Sequence, residues 1–266
     1  MRIRDLAAVA AVLLATPAVP LEAQRTGDRA RLIFTVSGAY VDRKGLWLVP
    51  SQPVQDVVGS STFVDSFALS RVIMPTFGAG FSGTYFPGEH VGLTADAFLI
   101  GLGYEDNCRV LGGLQSAQNL AVCESIDERE RRAAAVTLSG GAVFRAFSRE
   151  TISPFARVNA GLLFSNQSSI RTEGFNESGA VLTVYEHDSD TRVAPAFSIG
   201  VGATMVLGRA YHLRWEVRDN IVGVEQVTGA TPGPRIEPPH EQTFKHLFSV
   251  LIGIDVVLER SRGRRY

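Results

Sequence analysis

The chain has 266 residues and carries 26 Lys and Arg against 27 Asp and Glu, a formal charge of −1. That balance excludes a strongly basic nucleic-acid binder. A hydrophobic fraction of 45% fits a single folded domain and excludes a disordered chain.

Residues 1–23 read as a secretory signal peptide. Arg2 and Arg4 form a positive start, Leu6 to Ala15 a short apolar stretch, and small residues precede a cut after Ala23. Pro17 and Pro20 interrupt the run, which falls short of the roughly 20 residues a membrane helix needs. The mature domain is expected to span residues 24–266, and no later window offers a helical membrane span.

Beyond this segment the dominant signal is an alternation of apolar and small or polar residues with period two, repeated eight times. Leu32, Phe34, Val36 and Tyr40 open the series, with Thr35, Ser37 and Ala39 between them. Phe77 to Tyr85 follow, then Val91 to Leu99, where Asp96 and Phe98 fall on the face opposite Leu93 and Leu99. The fourth segment, Ala134 to Arg145, and the fifth, Ala156 to Phe164, set Arg145, Arg157 and Asn159 against apolar neighbours. Val193 to Leu207 is the sixth. In the seventh, Tyr211, Leu213, Trp215 and Val217 alternate with His212, Arg214, Glu216 and Arg218; in the eighth, His246 to Leu258, Asp255 opposes the apolar face.

The connections alternate in length. Short links run Phe86–His90, Ser148–Pro154 and Gly208–Ala210, and long ones Asp42–Leu69, Leu102–Arg131, Ser165–Thr191 and Asp219–Thr243. Short links join antiparallel neighbours as hairpins. Four long loops therefore emerge at one end, and the turns and both termini lie at the other. Cys108 and Cys123 fall in the second long loop of a chain read as exported, so they are expected to form a disulfide.

The expected fold is all-β: a closed, antiparallel, eight-stranded, up-and-down transmembrane β-barrel. Backbone groups in hydrocarbon must be satisfied internally, so a sheet that spans a bilayer has to close. A soluble lipocalin-type barrel would show the same alternation turned inside out. The membrane form is favoured because the apolar face is almost free of charge. The opposite face holds the expected lumenal network: Asp96, Arg145, Arg157, Asn159, His212, Arg214, Glu216, Arg218 and Asp255. Within it Arg214 is expected near Asp255, and Asp96 and Arg145 on neighbouring strands. Tyr85, Phe86, Phe144, Phe164 and Tyr211 sit near strand ends, where an interfacial aromatic girdle belongs.

These strands and loops resemble the small outer-membrane barrel proteins of the OmpA/OmpX-like family over essentially the whole mature sequence. The last strand, Gly253-Ile254-Asp255-Val256-Val257-Leu258, is similar to the C-terminal signal such proteins present to the barrel assembly machinery. The family usually ends that strand on an aromatic residue, and here a basic tail, Glu259 to Tyr266, follows instead. The resemblance implies a bacterial outer-membrane location, with membrane lipid and lipopolysaccharide as surroundings and the assembly machinery as a partner during biogenesis.

No cofactor is expected. Gly78-Ala79-Gly80-Phe81-Ser82-Gly83 fits a dinucleotide-binding spacing, but it lies inside an alternating strand and no helix follows. The chemistry-bearing residues of the long loops are His187 with Asp188 and Asp190, and His240 with Glu241. They are weighed as a lipid A-modifying triad, and Glu186 to Asp190 as a loose calcium loop, against solvated loop residues. The leading expectation is a non-enzymatic protein whose loops meet the exterior, for envelope integrity, adhesion or surface interaction. The alternatives are a channel for small or apolar solutes and a lipid A-modifying enzyme.

Overall fold

A computed structural model of the chain describes residues 31–58, 61–112, 116–127, 130–148, 150–165, 170–187, 193–208, 210–231 and 236–259. Residues 1–23, read above as a signal peptide, Asp188, Asp190 and the basic tail from Arg260 lie outside the described residues.

Among the described residues the strands are β1 (Arg31–Val41), β2 (Lys44–Val58), β3 (Ser61–Ile73), β4 (Thr76–Phe86), β5 (Val91–Leu111), β6 (Glu130–Arg145), β7 (Ile152–Ser165), β8 (Thr172–Phe175), β9 (Val181–Tyr185), β10 (Val193–Val206), β11 (Tyr211–Val227) and β12 (His240–Glu259), and a helix, α1, spans Ala117–Asp127. Eight strands close an antiparallel ring in the order β1-β4-β5-β6-β7-β10-β11-β12 and back to β1. The closing seam runs in register from Arg31↔Glu259 to Val41↔Ser249. The eight alternating segments of the sequence are these ring strands.

Side-chain alternation sets the sidedness. Val36, Phe81, Leu93, Leu138, Val158, Ile199, Val217 and Ile252 are exposed on the outside, while Thr35, Thr84, Asp96, Arg157, Ser198, Glu216 and Asp255 are buried within. A soluble barrel would reverse this arrangement. The 11 residues of β1, at about 3.3 Å each and tilted about 40°, cover roughly 25 Å, the height of an outer-membrane apolar band. Exposed Tyr85, Phe144 and Tyr211 mark the turn end; Tyr40, Phe77, Phe164 and Phe248 mark the loop end. Phe86 departs from the girdle expected of it. It is buried inside the ring, under the guanidinium of Arg145 at 4.5 Å.

A closed ring that is apolar outside and charged within is an outer-membrane β-barrel, its outer wall in contact with lipid.

The long connections are not bare loops. Asp42–Leu69 is largely the hairpin β2–β3, in which β2 continues β1 upward and β3 runs down onto β4, broken only at Met74-Pro75. Proline supplies no N–H for the ladder, and the Met74 N–H turns to Gly103 O instead. Eight residues of β3, Ser66 to Ile73, pair with the outer part of β5, from Leu111 back to Tyr104. The second connection holds the outer part of β5 and α1, joined by the Cys108–Cys123 disulfide with Cα atoms 5.3 Å apart. The third holds the hairpin β8–β9, and the fourth shortens because β11 runs on to Val227 and β12 begins at His240.

Candidate functional site

From the turn end upward, the lumen is filled in layers. In the lowest, the Thr35 hydroxyl donates to Asp255 at 2.7 Å. Arg214 lies over the Phe155 ring at 4.0 Å and reaches Asp255 at 3.9 Å. Arg145 lies over Phe86 and donates to Glu89 O at 3.4 Å. His212 sits half-buried, in register with Asp255 on β12. A cavity of about 20 Å³, near the size of one water, remains between Arg145, Arg214 and Asp255.

The central layer joins strands that face one another across the ring. β5 and β11 stand four places apart among eight, so the Asp96–Arg218 ion pair at 3.0 Å crosses the full diameter. Arg157 of β7 reaches Asp96 at 3.1 Å and Glu216 at 3.6 Å. Glu216 also accepts from Arg218 at 2.8 Å and from Arg214 at 2.9 Å. Asn159, its amide turned so that both ends are satisfied, accepts from Arg157 and donates to Val158 O. Asp96 and Arg145 sit on neighbouring strands without meeting. Asp96 is in register with Ser139, six residues along β6 from Arg145 or about 20 Å, so Asp96 turns to Arg157 and Arg218.

Backbone spacing makes room for this network. A Cβ on Gly200 would stand 2.4 Å from Glu216 Oε1, and one on Gly80 would stand 2.7 Å from Ser37 Oγ and 3.2 Å from the Phe98 ring. The glycine-rich run of β4 is therefore a shelf for Phe98, which in turn lies 5.2 Å from the Arg218 guanidinium.

Above Phe98 the lumen turns apolar. Ile100, Leu102, Tyr104, Val222 and Leu247 are buried, and their cluster continues outward through Leu46, Trp47, Phe67, Leu69, Val122, Ile126, Ile170 and Tyr185. The extracellular half of the protein thus has a core of its own and forms a cap. Three polar ties lock its connections together. Asp65 accepts from Asn119 of α1 at 2.7 Å. Arg71, fully buried, pairs with Asp106 and donates to Arg171 O at 2.6 Å and Thr172 Oγ1 at 3.1 Å. Gln52 Oε1 accepts from the Tyr185 hydroxyl and from Thr231 N, each at 2.8 Å.

Burial raises the phenol pKa of both Tyr104 and Tyr185, with Arg71 partly offsetting the effect at Tyr104. A folded cap that favours protonated phenols keeps this contribution below the ordinary tyrosine value of about 10 and loses it as pH rises above. Protease cleavage of the cap is expected to accelerate in alkali, and Tyr185→Phe is expected to flatten that profile. An identical profile in the variant would show that the phenol is not involved.

A surface recess of about 670 Å³ lies in the cap where the barrel seam ends. Above Val41↔Ser249 the chain continues as β2, which among the described residues has no partner strand on that side. Leu46, Trp47 and Leu48 of β2 and Arg71 of β3 line one wall, with Gln226, Glu241 and Lys245 opposite.

Of the loop residues singled out for chemistry, His187 and His240 come together with ring centroids 3.9 Å apart. Glu241 does not join them; it accepts from Gln226 at 3.1 Å. Glu237, which the sequence did not single out, lies 3.3 Å from His187.

No family model matches the chain, and no curated protein matches it. Several solved outer-membrane proteins are similar in structure. OprG from Pseudomonas aeruginosa is 9% identical with a TM-score of 0.46, over 88% of this chain and 98% of its own. Ail of Yersinia pestis is 9% identical with a TM-score of 0.41, over 86% and 99%. Neisserial surface protein A is 9% identical with a TM-score of 0.40, over 86% and 97%. The barrel architecture stands on strand register and sidedness, independently of these similarities.

Proposed function

We propose that this is a non-conducting outer-membrane protein whose barrel anchors a rigid extracellular cap for contact with molecules outside the cell. The Asp96–Arg218 bridge across the diameter carries the reading. With Arg157, Glu216, Phe98 and Ile100 all 2% exposed or less, the cross-section around it is occupied by side chains. Binding residues commonly sit on segments held by a rigid scaffold, and here disulfide, helix and hairpins hold the external connections in place. The cap recess beside β2 is where a ligand has both apolar wall and charged rim to meet. On this reading the outer leaflet supplies lipopolysaccharide contacts, and β12 is the strand offered to the assembly machinery.

Refolded protein in planar bilayers is expected to show no stepwise ion conductance across neutral pH and moderate salt. Reproducible open-channel currents would overturn the reading.

One observation favours a second reading. Among the described residues no strand pairs with the outer edge of β2, and the recess beside it opens sideways with Leu48 exposed. An apolar solute entering there would reach the lipid without crossing the lower lumen. Uptake of an alkane-type probe into liposomes that is lost in Leu48→Asp would support this path over surface contact alone.

A further inference from the structure

The third and fourth extracellular connections meet at one more place, where two histidines and a glutamate gather. His187 follows β9, while Glu237 and His240 lead into β12. The two connections are already held side by side, since Glu186 N donates to Ile236 O at 2.9 Å, while Thr228 N donates to Pro239 O at 2.9 Å and closes the fourth connection on itself. One donor atom from each of the three side chains lies within 4.8 Å of the other two.

We propose that His187, Glu237 and His240 bind a divalent transition-metal ion, Zn²⁺ in the first place, and so clamp the two connections together at the rim of the cap.

Two features fit that ion. Zn²⁺ takes nitrogen and oxygen ligands at about 2.0–2.1 Å in a tetrahedron, whose ligands stand about 3.3 Å apart. His187 Nδ1 and Glu237 Oε1 are 3.3 Å apart already, and since all the donors lie within 4.8 Å of one another the remaining one has at most roughly 1.5 Å to close. The second feature is the orientation of His240. Its Nδ1 is bonded to Pro238 O at 3.0 Å, which fixes the tautomer and leaves Nε2 as the electron-pair donor. A ligand histidine is commonly held in this way by a carbonyl on its far nitrogen.

Two imidazoles and one carboxylate exclude Ca²⁺ and Mg²⁺, which take all-oxygen sets. The same donors bind Cu²⁺ or Ni²⁺ as well, following the usual affinity order. Three protein ligands leave the fourth position open. The clamp would tie β9, and through Tyr185 the Gln52 junction, to the base of β12.

The test uses full-length mature protein refolded in detergent, stripped with a chelator and titrated calorimetrically with ZnCl₂ alone. One ion per chain is expected. His187→Ala and His240→Ala are each expected to weaken binding by at least the order of 10–100-fold seen for lost supporting residues in metal sites. His246→Ala is a control, because His246 pairs elsewhere, with Asp219 at 2.7 Å, and its removal should change nothing. Heat-modifiable migration checks that each variant's barrel is intact. A measurement without variants runs beside it: Zn²⁺ should protect two histidines of the native protein from carbethoxylation, and peptide mapping should identify them as His187 and His240. Equal affinity in wild type and both variants, absence of saturable binding, or protection of other histidines would each overturn the proposal.

Discussion

Glu216→Gln is expected to lower the unfolding free energy of the barrel by about 3–5 kcal/mol, the usual cost of stripping a buried charge of its partner. Glu216 stands within 3.6 Å of Arg157 and within 3 Å of both Arg214 and Arg218. With Arg145 in the layer below, four buried guanidiniums face three carboxylates, Asp96, Glu216 and Asp255, so the filled lumen already carries one positive charge in excess. Neutralising one carboxylate adds a second where water is scarce. Urea unfolding in lipid vesicles reads the effect as a lower midpoint at unchanged denaturant slope. The pair Glu216→Gln with Arg157→Met should recover part of the loss, since removing both members of a buried pair is far less costly than removing one. Gly200→Ala should act on the same network from the adjacent strand, because its methyl group would displace the Glu216 carboxylate. A loss below about 1 kcal/mol for Glu216→Gln would mean that the network is hydrated and the lumen is not sealed there.

The ring was legible because each strand faces two solvents. Lipid outside and a crowded polar interior impose strict alternation, as in Tyr211 to Arg218, and that period survives in the sequence. The cap was not legible, for three physical reasons. β2 contains Pro50 and Pro53 and two register shifts, which scramble its period, while β3 buries Phe67 and Leu69 against a core made from other loops. α1 is covered by β8 and the outer part of β5 without a clean apolar stripe of its own, so its sequence reads as polar loop. Its position depends on Asp65, 54 residues away from Asn119. The ionisable residues of the lumen could be assigned to a face but not paired, because pairing across a barrel depends on stagger and diameter. Asp96 illustrates this: its partners are Arg157 and Arg218, on strands two and more places away around the ring. The meeting of His187 with His240 likewise depends on the two external hairpins leaning together, and Glu237 has no motif around it that marks it as their neighbour.

Arg71→Met should open the cap while leaving the barrel closed. Arg71 is fully buried between the Trp47 and Tyr104 rings, at 5.3 and 5.5 Å, with its charge on Asp106, itself 3% exposed. It holds β3 to β5 through Asp106 and reaches the third connection through Arg171 O and Thr172. Methionine fills a similar volume, so the loss is chiefly electrostatic: a buried carboxylate without its cation, at about 3–5 kcal/mol. The barrel below keeps its own ladder and ion network, so the loss should appear as local opening of the cap. Limited proteolysis between Leu111 and Glu130 is expected to accelerate on the order of a hundredfold or more, since each 1.4 kcal/mol is a factor of ten in the open population. The unboiled protein should still migrate as a folded barrel. Arg71→Met combined with Asp106→Leu removes the stranded charge and should restore most of the protection. If Arg71→Met abolished heat-modifiable migration, cap and barrel would be a single cooperative unit, and the extracellular half would have to be treated as part of the membrane fold and not as a platform standing on it.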